Sequence, residues 1–411
     1  MLIIYRFLIN LIIILSPLIL IIRFLKKKED PVRFKEKFGF FSKKRKKGKL
    51  MWFHGASVGE LQSIIPLIEK LEKKKSIKQI LITSNTLSSS KVIKNNKFKK
   101  VTHQFFPIDN MYLIRKFLNF WRPSKAFFID SEFWPNMILE LKKKKIPIIL
   151  INGRITKKTF YRWKKISNFS KEIFNNFDLC LSSSKESYEY LKRLNFTNVK
   201  FIGNLKYSQA ESENLKVNQY LNKFLHNRKS WCASSTHQTE ELFIGQTHKY
   251  LKKKLKNLVT IIIPRHVDRC FDIKKDLEKI GLKVQLDDPQ KKIELDTDIY
   301  LVNSYGKTKT FYNLCKNVFL GGSLINHGGQ NPLEATRYGC NIIHGPYIQN
   351  FTEIYSFLKK NKIAQKTGNQ KNLANKILKL INKKPNSQKI QYKLKLIGQQ
   401  ILASTLKEIK I

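Results

Sequence analysis

The acids and cations best placed for chemistry stand where short apolar runs give out. Segment 54–60, HGASVGE, follows the run LMWF and opens a helix. Its two glycines and small residues let backbone approach a ligand closely. Glu60 falls in the first helical turn, where a carboxylate is a candidate general base for an alcohol and equally an ordinary complement to the helix dipole. Segment 130–136, DSEFWPN, places Asp130 and Glu132 either side of one serine; Asp or Ser at that point is also a common helix cap. Lys206 closes GNLK (203–206), in reach of a phosphate or carboxylate, although a lone lysine in a Lys-rich chain is more often solvated. Arg265 and His266 end the apolar run 258–264. The guanidinium is a planar fork suited to phosphate, and the imidazole adds a donor. No metal-ligand spacing accompanies that histidine. Segment 321–334, GGSLINHGGQNPLE, runs from a strand through a glycine-rich loop into a helix. Asn331 as N-cap, Pro332 at N1 and Glu334 at N3 would make a capping box. The same geometry makes an anion site, and a Glu there can accept both hydroxyls of a ribose. Glycines 321, 322, 328 and 329 clear space for a nucleotide. Neither the G-x-G-x-x-G fingerprint nor the P-loop pattern is present.

The elements that must position these residues alternate. Apolar runs at 50–53, 79–84, 101–107, 125–130, 146–153, 179–184 and 199–204 read as strands, with 101–107 open to a loop reading. Amphipathic stretches at 60–74, 88–97 and 111–121, and one from Trp134, read as helices. The polar stretch 208–229 reads as a linker. The alternation then restarts with 230–235, a helix over 238–254, strands at 258–264, 282–286, 298–303, 317–322 and 340–346, and helices at 271–280 and from Asn331. The stretch 368–411 is helical and charged. Repeated βα units imply parallel sheets with helices on both faces. The expected architecture is two doubly wound α/β domains facing a cleft, divided as an anchor (1–25), a first domain (26–207), the linker (208–229), a second domain (230–385) and a C-terminal helix (386–411).

The 411 residues carry a formal net charge of +49, with 79 Lys+Arg against 30 Asp+Glu. Nucleic acid, an anionic membrane and phosphorylated substrates would each use that charge. Part of it is also what a Lys-, Ile- and Asn-rich composition produces without any partner. Five cysteines, an odd number with no C-x-x-C pair, argue against a disulfide framework or a zinc site. Residues 7–22 are almost wholly apolar, and Arg23, Lys26, Lys27 and Lys28 follow in place of a cleavage site. That reads as an uncleaved anchor, spanning or interfacial, with the remainder on the cytoplasmic side. Basic residues interleaved with Phe34, Phe38, Phe40 and Phe41 over 33–49 suit an anionic membrane surface or a plain basic linker.

With its motifs in order, the chain resembles the 3-deoxy-D-manno-octulosonic acid (Kdo) transferases, membrane-anchored glycosyltransferases of GT-B architecture. The N-terminal anchor, HGASVGE, DSEFWPN, INGRIT, GNLK, ASSTHQTEE, IPRH, NSYGK, GGSLINHGGQNPLE and HGPYIQNF span nearly the whole sequence. The resemblance implies CMP-Kdo as donor, lipid IVA as acceptor, an anionic inner-membrane surface, no nucleic-acid partner, and no metal or other cofactor in the chemical step. It implies Glu60 as base for the acceptor's primary hydroxyl, with Asp130 or Glu132 and Lys206 stabilising the transition state. Arg265, His266, the Tyr305–Gly306–Lys307 turn and Asn331, Pro332, Leu333 and Glu334 would hold CMP. The family usually has Glu at Asp130 and His at Gln330, and often Glu at Lys307. Another nucleotide sugar on the same scaffold is the rival enzymatic reading; a membrane-tethered nucleic-acid binder is the non-enzymatic one.

Overall fold

In the computed structural model, which describes residues 1–209, 219–226, 228–383 and 387–410, the chain divides into two units: Met1–Ala210 with Leu396–Ile411, and Glu211–Lys395. The expected linker 208–229 falls partly outside the described residues; within it a helix covers Gln219–His226.

The first unit is built on strands β1 (Leu50–His54), β2 (Gln79–Ser84), β3 (Val101–Phe105), β4 (Lys125–Ile129), β5 (Ile148–Gly153), β6 (Leu179–Ser182) and β7 (Val199–Phe201). They form one sheet in the order β3-β2-β1-β4-β5-β6-β7, and every pairing is parallel. Helices on both faces bury both sets of side chains, so β1 and β2 are buried throughout and read as unbroken apolar runs. On one face Trp52 and Phe128 pack with Phe117 and Trp121. On the other, Met51 and Phe53 pack with Ile64 and Leu67. The last helix, Ser387–Glu408, adds Ile401 and Leu402 to that second layer.

The second unit has β8 (Lys229–Thr236), β9 (Leu258–Pro264), β10 (Val284–Leu286), β11 (Ile299–Leu301), β12 (Asn317–Leu320), β13 (Asn341–His344) and β14 (Ala364–Lys366). Their order is β10-β11-β9-β8-β12-β13-β14, again wholly parallel. The winding reverses between β1 and β4 in the first sheet and between β8 and β12 in the second. Such reversals open a crevice at the carboxyl ends of the strands.

Two features of the N-terminal region take a more particular form than expected. The apolar N-terminus is two helices, Leu2–Ile14 and Ser16–Leu25, bent by 57°, and among the described residues no single helix is long and apolar enough to cross a membrane. Pro17 opens the second helix, where its missing N–H and fixed φ favour a new start over continuation. The polar residues of the first helix are tied to the first unit. Tyr5 donates to Asp109 at 2.6 Å, Arg6 to Asn136 at 3.0 Å, and Asn10 accepts from Asn110 at 2.8 Å. The basic stretch is also partly internal. Arg23 and Lys37 pair with the buried Glu29, Arg33 pairs with the buried Glu36, and Phe41 stacks on Phe120. Of its four phenylalanines only Phe40 is largely exposed.

Candidate active site

In the first unit, the turns after β1 and β4 carry the candidate acids to the two strands that flank the reversal. Ser57 caps the helix Val58–Glu72, and Glu60 is the third residue of that helix, an S-x-x-E spacing. The Glu60 carboxylate accepts the Ala56 N–H at 2.7 Å and the Ser57 hydroxyl at 2.6 Å. Burial raises its pKa from 4.5 to about 7. The two donors oppose that rise, and the charges of Glu132 and Asp130 add to it. Glu60 therefore combines the structural role of a cap with the proton affinity of a base working near neutrality.

Glu132 accepts from Trp134 Nε1 at 2.9 Å, and His54 Nε2 lies 3.3 Å from the same carboxylate oxygen. His54 ends β1 fully buried, with Nδ1 3.0 Å from Thr83 Oγ1 and its ring stacked on Phe106. Asp130 is only 8% exposed and holds a left-handed φ of 56°, a conformation Asp tolerates better than most residues. Its carboxylate accepts from Asn152 Nδ2 and lies 3.7 Å from Lys206 Nζ. Asn152, also at φ 56°, accepts the Leu205 N–H at 2.9 Å through its Oδ1. One amide thus joins the end of β5 to Asp130 and to the turn that bears Lys206. His54 and Asn152 lie inside quoted motifs, yet nothing in their local spacing singled them out.

In the second unit, the turns after β8, β9 and β12 converge. The Arg265 N–H donates to Thr236 O at 2.9 Å, while the Arg265 and His266 side chains are exposed. The His237 ring lies 6.0 Å from that of His266 and 4.4 Å from that of His327, and its Nε2 is 3.3 Å from Gln330 Nε2. Burial, then the neighbouring cationic side chains, lowers the His237 pKa to about 4. His237 and His327 are additions that the sequence patterns did not mark.

The capping box expected at Asn331 is not formed. The helix starts at Leu333 and ends at Arg337, so Pro332 occupies the cap position and no side-chain cap bond is made there. Asn331 Oδ1 instead accepts the Leu333 N–H at 3.1 Å. Five residues give the local dipole little length, which weakens the case for that helix end as the anion site. Glu334 stands near the buried Tyr312, whose phenol its charge helps push up, after burial itself. Tyr305 is exposed, Gly306 takes φ 88°, and Lys307 pairs with Asp287 rather than standing open at the turn. Among the described residues no group of three or more His, Cys, Asp or Glu is arranged to hold a metal ion.

Comparison with known proteins adds a second line. A family model described as 3-deoxy-D-manno-octulosonic-acid transferase (kdotransferase) matches residues 32–209. The 3-deoxy-D-manno-octulosonic acid transferase of Rickettsia bellii is 33% identical over 387 residues, 93% of this chain and 91% of that protein. The Haemophilus influenzae protein of the same name is 28% identical, covering 85% and 84%. Among solved structures, a putative UDP-N-acetylglucosamine 2-epimerase from Listeria monocytogenes superposes with a TM-score of 0.62 at 13% identity, over 88% of this chain and 97% of that one. That similarity concerns the fold, two Rossmann-like sheets consistent with GT-B.

Proposed function

This chain belongs to the Kdo transferase family, glycosyltransferases of lipopolysaccharide synthesis, and we propose that it transfers Kdo from CMP-Kdo to lipid IVA with inversion and without a metal in the chemical step. The observation that carries this reading is Glu60, a carboxylate with a pKa near 7 at the reversal of the first sheet. Glu60 takes the proton of the acceptor's primary hydroxyl as the oxygen attacks the anomeric carbon. The bond from that carbon to the CMP phosphate breaks, and the electron pair leaves with CMP. Even a base of pKa 7 is far weaker than an alkoxide, so proton removal accompanies attack. Asp130, Glu132 and Lys206 form the charged surroundings of the oxocarbenium-like centre. Arg265 and His266, with the 305–307 turn and Asn331–Glu334, receive CMP in the second unit. There a guanidinium and fixed donors stabilise the negative charge that develops on the leaving phosphate.

The acceptor is a bis-phosphorylated lipid, so we place the enzyme on the cytoplasmic face of the inner membrane. Residues Ile3, Phe7, Ile14, Leu18 and Ile21 of the N-terminal helices are exposed, and the exposed Lys26–Lys28 follow directly. An apolar face bordered by lysines suits shallow insertion into an anionic leaflet. Incubation with lipid IVA and freshly generated CMP-Kdo, read by mass spectrometry, tests the reading. Addition of Kdo to lipid IVA is expected. Transfer from a UDP-sugar with none from CMP-Kdo would overturn it.

A further inference from the structure

The second unit contains a carboxylate that the chemistry above leaves unused. Glu240 opens the helix Glu240–Lys252 and is 1% exposed. Its Oε2 accepts the N–H of Gly322 at 2.7 Å and of His237 at 2.9 Å. Its Oε1 accepts the N–H of Ser323 at 3.1 Å and of Leu324 at 3.0 Å. Three successive N–H groups converging beside a left-handed glycine, Gly322 at φ 64°, form a nest, the concavity in which many folds hold a phosphate. Here a side chain of the protein fills it. The fit leaves no room at the preceding residue: a Cβ on Gly321 would lie 2.8 Å from Glu240 Oε2 and 2.4 Å from Ser235 O.

The other side of the contact is strained. Ser235 and Thr239, on either side of His237, take left-handed φ of 56° and 78°. Non-glycine residues hold such conformations only where their surroundings over-determine them. The reciprocal pair between His237 and Glu240 supplies that constraint, since the Glu240 N–H also donates to His237 O at 3.0 Å. One carboxylate therefore ties the turn after β8 to the loop after β12, the two strands at the reversal of this sheet. On that tie ride His237, His327 and Gln330.

We infer that Glu240 acts as an internal anion: it occupies the N–H nest of the glycine-rich loop, so the donor's phosphate does not bind there, and it positions His237 and the 321–330 loop for the nucleotide. Glu240 is a positioning residue in this scheme. The donor half of the inference rests on the CMP-Kdo reading above; the occupied nest does not.

The full-length Glu240→Ala and Glu240→Gln variants separate the two. An emptied nest should take up a small carboxylate, so sodium formate should raise the Tm of Glu240→Ala while leaving wild type and Glu240→Gln unmoved. The donor KM of Glu240→Ala should rise at least about tenfold, since misplacing a binding loop by an ångström can cost up to about a hundredfold. Formate should largely restore it, with the acceptor KM within about twofold of wild type throughout. Glu240→Gln, which sets an NH2 against two of the four N–H donors, should raise the donor KM without rescue by formate. If the alanine variant does not fold, the glutamine variant still tests the donor–acceptor split. A formate-insensitive, folded Glu240→Ala would overturn the occupied nest. A wild-type donor KM in either variant would overturn the positioning role. Wild-type protein that neither binds CMP nor transfers Kdo would instead remove the donor reading, with the formate result still standing by itself.

Discussion

Replacing Glu60 with glutamine should cut transfer at least about a hundredfold and, above neutrality, make the protein more stable. The amide oxygen can keep the Ala56 N–H bond, and the Ser57 hydroxyl can rotate to accept from the NH2, so the cap survives. What the substitution removes is the charge. Burial lifts the Glu60 pKa from 4.5 to about 7, so the native state keeps a proton that the unfolded chain has already released. For an acid raised in this way, the stabilising contribution is complete below about pH 4.5 and is lost as pH climbs to 7. The full linkage is about 3 kcal/mol at about 1.4 kcal/mol per pH unit. Glu60 is partly solvent-accessible, and screening reduces this to about 1.5 kcal/mol. In a unit of this size that amounts to about 4 °C in Tm. Differential scanning calorimetry at pH 5 and pH 8 should show Glu60→Gln matching wild type at the lower pH and exceeding it at the higher. In parallel, wild-type kcat/KM should rise with pH through an apparent pKa near 7, with about a tenth of the enzyme competent at pH 6 and about nine-tenths at pH 8. The variant should lose about 10²- to 10⁴-fold in kcat. Transfer by Glu60→Gln within tenfold of wild type, or a flat wild-type profile from pH 5.5 to 8.5, would refute the assignment of Glu60 as the base.

Two further outcomes follow from the same hydrogen-bond geometry. Asn152→Ala removes the amide donor to the buried Asp130 carboxylate, which keeps Lys206 at 3.7 Å, and leaves the Leu205 N–H without its acceptor; this should cost about 1–3 kcal/mol in denaturant unfolding and reduce kcat more than donor KM. The Tyr5→Phe and Arg6→Ala pair should release the helix Leu2–Ile14, seen as faster amide exchange over residues 2–14 with steady-state kcat in detergent unchanged; unaltered exchange would show that apolar packing alone holds it.

The elements were legible where burial on both faces leaves a continuous apolar run. Such runs mark β1, β2, β4, β5, β9 and β12, and those of β1, β4, β9 and β12 lead directly into candidate site segments. Short or weakly patterned elements were harder. The strand Ala364–Lys366 has three residues, one of them a lysine, and lies just before the stretch 368–411 that reads as helical, where no element was expected. The helix expected from Asn331 shrank to five residues because Gly339 and Cys340 turn the chain into β13 almost at once. The bend and the tethering of the N-terminal segment were not legible, because hydropathy ignores Pro17 and the polar residues Tyr5, Arg6 and Asn10, whose partners lie about a hundred residues or more away.

By itself, the sequence determined the parallel α/β class, the family resemblance and the candidate acids at strand ends, because periodicity and motif order are local properties of the chain. Tertiary structure decided which strands became neighbours. Pairing β1 with β4 and β8 with β12 brings Glu60 toward Glu132 and Asp130, and Glu240 to Gly322, over separations of 70 residues or more that no pattern encodes. It also decided the proton affinity of Glu60, since desolvation depends on what the fold packs around a carboxylate and not on the residues beside it in the chain.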